Sequence, residues 1–131
     1  MFSIIGCDHT LCMTDSAWGK FFPLEQRALT FTKDIRKFVE RVPKTLMTFD
    51  LLKQVLRSSS SIGANYIEAN ECLGKRDFLM HLRISRKEAK ETRYWLDVLS
   101  GFPALEEEKG RLLKEAQELE LILGSIIKKS L

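Results

Sequence analysis

Apolar residues recur every three or four positions along most of the chain, in a pattern that becomes regular at Ala28. This spacing places apolar side chains on one face of an α-helix and polar side chains on the other. Pro43, Gly74 and the sequence Gly101-Phe102-Pro103 interrupt the pattern and divide it into four segments. Four amphipathic helices with short connections predict an all-α fold, an antiparallel up-down-up-down four-helix bundle.

The N-terminal 22 residues lack this helical period and carry only three charged side chains. The sequence Phe21-Phe22-Pro23 spans the end of this part, and proline suits the start of a helix while disfavouring helix immediately before it. We therefore predict a loosely ordered N-terminal arm over residues 1–22 and the four-helix bundle over residues 23–131. Alternatively, the arm is upstream sequence that is translated before a later start such as Met13.

The third segment carries a second apolar stripe beside the one that faces the core. With about 100° per residue, the second stripe is displaced from the first by about 130°. A helix in an isolated bundle needs one stripe, so we interpret the second as a subunit interface anchored by Trp95. The alternative is a wide core face with ordinary exposed apolar residues. The predicted interface residues are Met80, Ile84, Trp95 and Val98.

The second segment is also rich in apolar residues. Its predicted core face begins at Phe49, and that face is flanked by Leu51, Val55, Ile62 and Ala69. These flanking residues are more than a monomeric bundle would be expected to bury, so they too favour self-association.

Length and composition narrow the class of protein. The chain has 131 residues, of which 44% are hydrophobic and 30% charged, as in one ordinary globular domain. No run approaches the roughly 18 apolar residues of a membrane-spanning helix, so we expect no membrane partner. The three cysteines are few and odd in number, so they do not form the pattern of a disulfide scaffold. This favours a reducing cytoplasm as the location of the protein.

The net charge of +3 conceals two basic regions, because residues 24–46 and residues 73–102 each sum to +3. In the third segment four cations cluster within about 60° of the helical wheel, opposite the core face. Such a face suits phosphate groups and would bind them without reading bases. The alternative is an ordinary solvated face, which Asp77 and Glu91 make mixed in charge. The predicted nucleic-acid-binding residues are Arg76, Arg83, Lys87 and Lys90, with Arg86 and Arg93 on the flank.

A run of four serines and a glycine lies in the middle of the second segment, within residues 57–65. These residues have poor helix propensity, so tertiary packing must hold them in a helix. We interpret Ser59 and Gly63 as positions of close helix packing, where a neighbour such as Trp95 or Tyr94 approaches the backbone. A catalytic serine is the alternative, although no histidine stands at a spacing that indicates a catalytic pair.

The sequence offers little support for metal or cofactor chemistry. The segment from Cys7 to Cys12 contains two cysteines and His9, but no fourth ligand and no common zinc spacing. His81 is not part of a Glu-x-x-His motif, and Cys72 is interpreted as a small packed residue. The chain has no Gly-rich phosphate loop. We therefore predict no metal, no cofactor and no catalytic residue.

Three segments in this order and spacing resemble the four-helix-bundle protein family, also called the ribosomal-RNA intervening-sequence protein family. They are residues 56–69 (LRSSSSIGANYIEA), 75–78 (KRDF) and 87–96 (KEAKETRYWL), preceded by a first-helix match at residues 24–31. The resemblance implies a left-handed antiparallel bundle that assembles into a ring, typically a homopentamer, with no known enzymatic activity. In a related branch, the accessory protein of diversity-generating retroelements, a basic ring is associated with nucleic acid and a reverse transcriptase.

Together these features predict a non-enzymatic, homo-oligomeric helical scaffold of the cytoplasm that contacts RNA or DNA through a basic outer face. A reverse transcriptase is an expected partner only if the chain is encoded in a retroelement. The alternative function is a protein-interaction scaffold that does not bind nucleic acid and whose charge serves solubility.

Overall fold

The computed structural model describes the backbone of residues 15–131 and the side chains from Pro23 onward. It contains four α-helices: α1 (Asp15–Arg41), α2 (Leu46–Asn70), α3 (Lys75–Val98) and α4 (Glu106–Ser130). A short 3-10 turn, Pro103–Leu105, precedes α4, and no strand occurs within residues 15–131. The all-α class predicted from the apolar period is confirmed.

Each helix packs against the next one in the chain, and α4 packs back against α1. Contacts between α2 and α3 run in opposite order along the two helices. Ser58 lies beside Thr92, whereas Ile62, one turn later in α2, accepts a hydrogen bond from Ser85, earlier in α3. Neighbours in this order are antiparallel, which is the direction that short connections require.

The core consists of the apolar stripes that the spacing predicted for α1 and α3. In α1 it includes Phe31, Ile35 and Phe38, and in α3 it includes Leu82 and Leu96, all at most 2% exposed. Burying side chains of this size contributes about 1.5–3 kcal/mol each, so the core accounts for most of the favourable free energy of folding.

The core face of α2 is wider than the predicted one, and two expectations for this helix are wrong. Phe49, expected in the core, is 54% exposed. Val55, Ile62 and Ala69, expected to flank the core and support self-association, are instead at most 1% exposed. These three flanking residues therefore belong to the core and give no support for a subunit interface.

Helix α1 begins earlier than Pro23 suggested. It starts at Asp15 and continues through Pro23, which falls in its third turn rather than at its entry. Proline at that position lacks the N–H that would donate to a carbonyl one turn earlier. Residues 1–14, including the segment from Cys7 to Cys12, lie outside the described residues. The division into an arm over residues 1–22 and a bundle over residues 23–131 stays a prediction.

The start of α2 is fixed by a reciprocal cap. The Thr48 N–H donates to Thr45 Oγ1 at 3.2 Å, and the Thr45 N–H donates to Thr48 Oγ1 at 2.8 Å. Caps of this kind stabilise a helix start by about 1 kcal/mol, because they satisfy N–H groups that have no partner within the helix. The cap therefore fixes the residue at which α2 begins.

Candidate nucleic-acid interface

Four basic residues of α3 point away from the core, and we call them the outer cations. All four are exposed, whereas the residues on the opposite side of the helix, such as Leu82, Ala89 and Leu96, are fully buried. The first and the last are 14 positions apart, which at about 1.5 Å per residue is roughly 21 Å of helix. The outer cations are Arg76, Arg83, Lys87 and Lys90.

None of the outer cations forms an ion pair with any described residue. Arginines at contacts between helices behave differently. Arg27 of α1 donates to Glu115 and Glu118 of α4 at 2.7 and 2.8 Å, and these carboxylates raise its pKa. Arg41 pairs with Glu108. Positive charge is therefore neutralised where helices meet and left unneutralised along the outer cations.

The carboxylates of α3 differ in their surroundings. Asp77 lies 3.4 Å from His81 Nε2 and accepts a hydrogen bond from the Leu73 N–H at 3.1 Å, but it also lines a pocket with Arg76 and Met80. Glu91 pairs with Arg57 of α2 and accepts a hydrogen bond from the Trp95 indole at 3.3 Å. Asp97, seven positions after Lys90, is exposed on the side of the outer cations. The mixed-charge alternative rested on Asp77 and Glu91, and the structure directs only Glu91 toward α2.

Arg57 of α2 contacts two carboxylates of α3. Its guanidinium contacts Glu88 Oε1 at 3.2 Å as well as Glu91, and its Nε donates to Gln54 Oε1 at 3.0 Å. Glu88 is buried, so its charge depends on a nearby cation for compensation. One arginine of α2 thus compensates two carboxylates of α3.

The two flanking basic residues face α4 rather than the outer surface. Arg93 donates to Glu120 at 2.6 Å, so its charge is paired. Arg86 lies across Gly124, where an added Cβ would be 3.7 Å from the Arg86 Cδ. The structure therefore brings the four outer cations together on one surface and places Arg86 and Arg93 on the side of α4. Their predicted role in binding stays a prediction.

The outer cations border a shallow groove with an apolar floor. Arg76, Arg83 and Lys87 line it together with Met80 and Ile84, and its volume is about 470 Å³. Met80 is 46% exposed and Ile84 is half-buried. Two of the residues predicted for a subunit interface therefore share one groove with three of those predicted for nucleic acid.

The other two predicted interface residues lie toward the C-terminal end of α3, outside the groove. Trp95 packs partly against the core, and Val98 is 41% exposed. Tyr94, next to Trp95, is 61% exposed, and the two rings meet edge to face with centroids 5.0 Å apart at 74°. The predicted interface residues thus form two pairs, with Met80 and Ile84 in the groove and Trp95 and Val98 outside it.

The serine run packs against two helices at once. Ser58 and Ser59 are fully buried, the Ser58 and Thr92 hydroxyl oxygens are 2.9 Å apart, and Thr32 of α1 donates to the Ser59 carbonyl at 3.3 Å. A Cβ on Gly63 would lie 3.2 Å from the Ala28 Cβ, so α1 is the close neighbour there. Trp95 and Tyr94, the neighbours suggested from the sequence, do not fill this role.

The serines show no catalytic arrangement within the described residues. The Ser58 and Ser60 hydroxyls donate to carbonyls one turn earlier, at 2.9 and 2.8 Å. His81 contacts Asn65 and Asp77, and no serine of the run. The hydroxyls therefore satisfy the helix backbone locally, which is a common use of serine in a helix interior.

Lys128 is a basic residue that the sequence analysis did not place near α3. It is exposed and lies one turn beyond Gly124, which contacts Arg86. Because residues one turn apart share a helix side, Lys128 lies on the side of α4 that faces Arg86. The predicted antiparallel pairing of α3 and α4 could have placed Lys128 beside α3.

No group of three potential metal ligands occurs among residues 15–131, and the segment from Cys7 to Cys12 lies outside the described residues. Cys72 is buried. Within the same part of the chain, no helix is both long and apolar enough to cross a membrane.

Comparison with known proteins gives a matching family and similar solved structures. The sequence model of a family described as 23S rRNA-intervening sequence protein matches residues 23–125. The chain is also similar to the crystal structure of a protein with unknown function from the S23 ribosomal protein family of Bacteroides thetaiotaomicron VPI-5482. The two chains are 32% identical, with a TM-score of 0.72 over 83% of this chain and 98% of that chain. Comparison with curated proteins gave no match.

Proposed function

We propose a function for this chain, which belongs to the 23S rRNA-intervening sequence protein family. It is a non-enzymatic helical scaffold that contacts nucleic acid through the outer face of α3. The observation that carries the proposal is the separation of charge on this helix. The outer cations have no carboxylate partner among the described residues, while Glu88 and Glu91 are bound by Arg57 of α2. A row of cations without counter-charges is a surface suited to a polyanion.

The outer cations would act on phosphates rather than on base edges. Arginine can hold a phosphate through two parallel N–H groups, and lysine acts as a mobile point charge. No element of the described fold presents a base-reading motif, so binding would be nearly independent of sequence. The expected role is therefore to hold or organise nucleic acid, with any chemistry done by other molecules.

The experiment is a titration of labelled RNA and of duplex DNA with the full chain at one moderate salt concentration. The test variant replaces all four outer cations by glutamine. We expect it to bind at least tenfold more weakly than the wild type, because several phosphate contacts are lost. The matched control makes the same change in net charge on other exposed residues: Lys33, Lys37, Arg111 and Lys114.

The control variant is expected to keep most of the affinity, since its replaced residues lie on α1 and α4. Equal losses in both variants would mean that only the overall charge matters, and the assignment to α3 would fail. Absence of binding by the wild type at low salt would remove the nucleic-acid function altogether.

We also propose that the protein is a homo-oligomer, with the homopentamer expected from the family resemblance. Support comes from the exposed Val98 and the partly exposed Trp95. A copy that covered Met80 and Ile84 would also cover three outer cations, so the proposal places Trp95 and Val98 in the interface and leaves the groove open. Light scattering coupled to size exclusion tests it, and a mass near the 15.1 kDa of one chain would contradict it.

A second candidate function is a protein-interaction scaffold, which the apolar floor of the groove favours. Met80 and Ile84 could receive apolar side chains of a protein while the bordering cations meet its carboxylates. This function would gain support if nucleic acid failed to bind. We also propose that the protein acts in the cytoplasm. If the chain is encoded in a retroelement, we propose a reverse transcriptase as a partner.

A further inference from the structure

We propose that the outer face of α3 binds single-stranded nucleic acid in preference to duplex. In this arrangement bases contact Met80, Ile84 and Tyr94 while phosphates contact the outer cations. The inference rests on the proposed function, and it adds the structural class of the nucleic acid. The observation behind it is that apolar and aromatic surface alternates with positive charge along one line of the helix.

The apolar part of this surface lies between cations rather than apart from them. Met80 and Ile84 form the floor of the groove, and Arg76, Arg83 and Lys87 border it. Nearly half of the Met80 side chain is open to solvent. A ligand that follows the cations must therefore pass over apolar atoms, and it gains free energy only if it can cover them.

Tyr94 continues the same line. It is 18 positions after Arg76, which is five helical turns, so the two residues lie on the same side of α3. Its ring is 61% exposed, yet packs edge to face against Trp95, which is tied to Glu91 by a hydrogen bond at 3.3 Å. Because its neighbour Trp95 is fixed, the Tyr94 ring has less conformational freedom to lose when a base stacks on it.

A duplex and a single strand differ in what they can offer these residues. The bases of a duplex are stacked on one another, and its outer surface consists of sugars and phosphates. A straight helix face that met this surface would use its cations but leave Met80 and Tyr94 without partners. A single strand can turn its bases onto apolar and aromatic side chains while its phosphates remain free for basic residues.

The experiment measures binding of the full chain to four labelled probes at one salt concentration. They are a mixed-sequence RNA of about 16 nucleotides, the DNA strand of the same sequence, the corresponding RNA duplex, and an abasic strand of equal length. The variants are Tyr94→Ala and Tyr94→Phe. The matched control is Phe49→Ala, which removes another exposed ring, 54% exposed, from α2.

We expect the wild type to bind both single strands at least about fivefold more tightly than the duplex and the abasic strand. Tyr94→Ala should remove most of that difference, while Tyr94→Phe and Phe49→Ala should retain it. The dependence of affinity on salt should be the same in Tyr94→Ala as in the wild type, because the phosphate contacts remain. A difference between the RNA and DNA strands would indicate a contact to the 2′-hydroxyl.

Equal affinity of the wild type for the single strands and the duplex would overturn the inference while leaving the proposed function in place. An equal loss for all four probes in Tyr94→Ala would also overturn it, since a stacking residue acts only where bases are available. No binding to any probe would instead remove the proposed function itself.

Discussion

The two sides of helix α3 differ in how their charges are compensated. The side of α3 that faces α2 is tightly packed, and the Glu88 and Glu91 carboxylates on it are bound by Arg57. The outer side carries four cations that have no partner among the described residues. The difference shows that the fold compensates charge where it buries charge. It leaves charge uncompensated only on a surface that packing does not use.

The two sides also differ in what holds them. On the α2 side, Ser85 donates to the Ile62 carbonyl at 2.7 Å, and the Ser58 and Thr92 hydroxyl oxygens meet at 2.9 Å. On the outer side, long flexible basic side chains make no such contacts. Substitutions on the α2 side should therefore change stability, and substitutions on the outer side should change binding. Three measurements test this division.

The largest effect on stability is expected from Gly63→Leu. The Cβ alone would lie 3.2 Å from the Ala28 Cβ, so a branched side chain must push α1 and α2 apart. We expect a loss of about 3 kcal/mol in the free energy of unfolding, measured by denaturant titration. Gly110→Leu is the matched control, because a Cβ at Gly110 meets no atom within 4 Å. A control as unstable as Gly63→Leu would contradict close packing as the cause.

An intermediate effect is expected from Arg57→Ala, which leaves the buried Glu88 carboxylate without its cation. Because Arg57 itself is half exposed, we expect a loss of about 1–2 kcal/mol rather than the larger values of fully buried pairs. Lys53→Ala is the control on the same helix, since its exposed pair with Asp50 spans 3.8 Å. Equal stability of the two variants would show that Arg57 does not serve as the compensating charge.

The smallest effect on stability is expected from replacing all four outer cations by glutamine. These residues make no ion pair with the described residues, and their mutual repulsion is removed by the change. The free energy of unfolding should stay within about 0.5 kcal/mol of the wild type. A loss as large as that of Arg57→Ala would mean that the outer side has a structural role, and the comparison of the two sides would fail.

Much of the fold follows from the sequence. The apolar period predicted the buried residues of α1 and α3, and the resemblance to the intervening-sequence family is confirmed by the match over residues 23–125. The full width of the α2 core face did not follow, because serine and glycine can face a core as readily as solvent, so the pattern was ambiguous where they cluster. Proline at position 23 was also a poor guide, since the helix continues through it.

The basic surface was only partly visible in the sequence. Periodicity grouped the outer cations on one face, since that depends only on positions along one helix. It could not show that Arg57, far away in the chain, binds Glu88 and Glu91, or that Glu120 neutralises Arg93. Nor could it place Met80 and Ile84 in the groove that the cations border. Pairing between helices decides which charges remain free, and a single helical wheel contains no information about it.

The central claim is that the outer cations bind phosphates, and the dependence of affinity on salt tests it most directly. With about four phosphates neutralised, a plot of log affinity against log salt concentration for duplex DNA should have a slope of about −3.6. The variant with all four outer cations replaced by glutamine should lose most of that slope, and the Lys33, Lys37, Arg111 and Lys114 control should keep it. A wild-type slope near zero, or the same slope in the wild type and the outer-cation variant, would contradict the account.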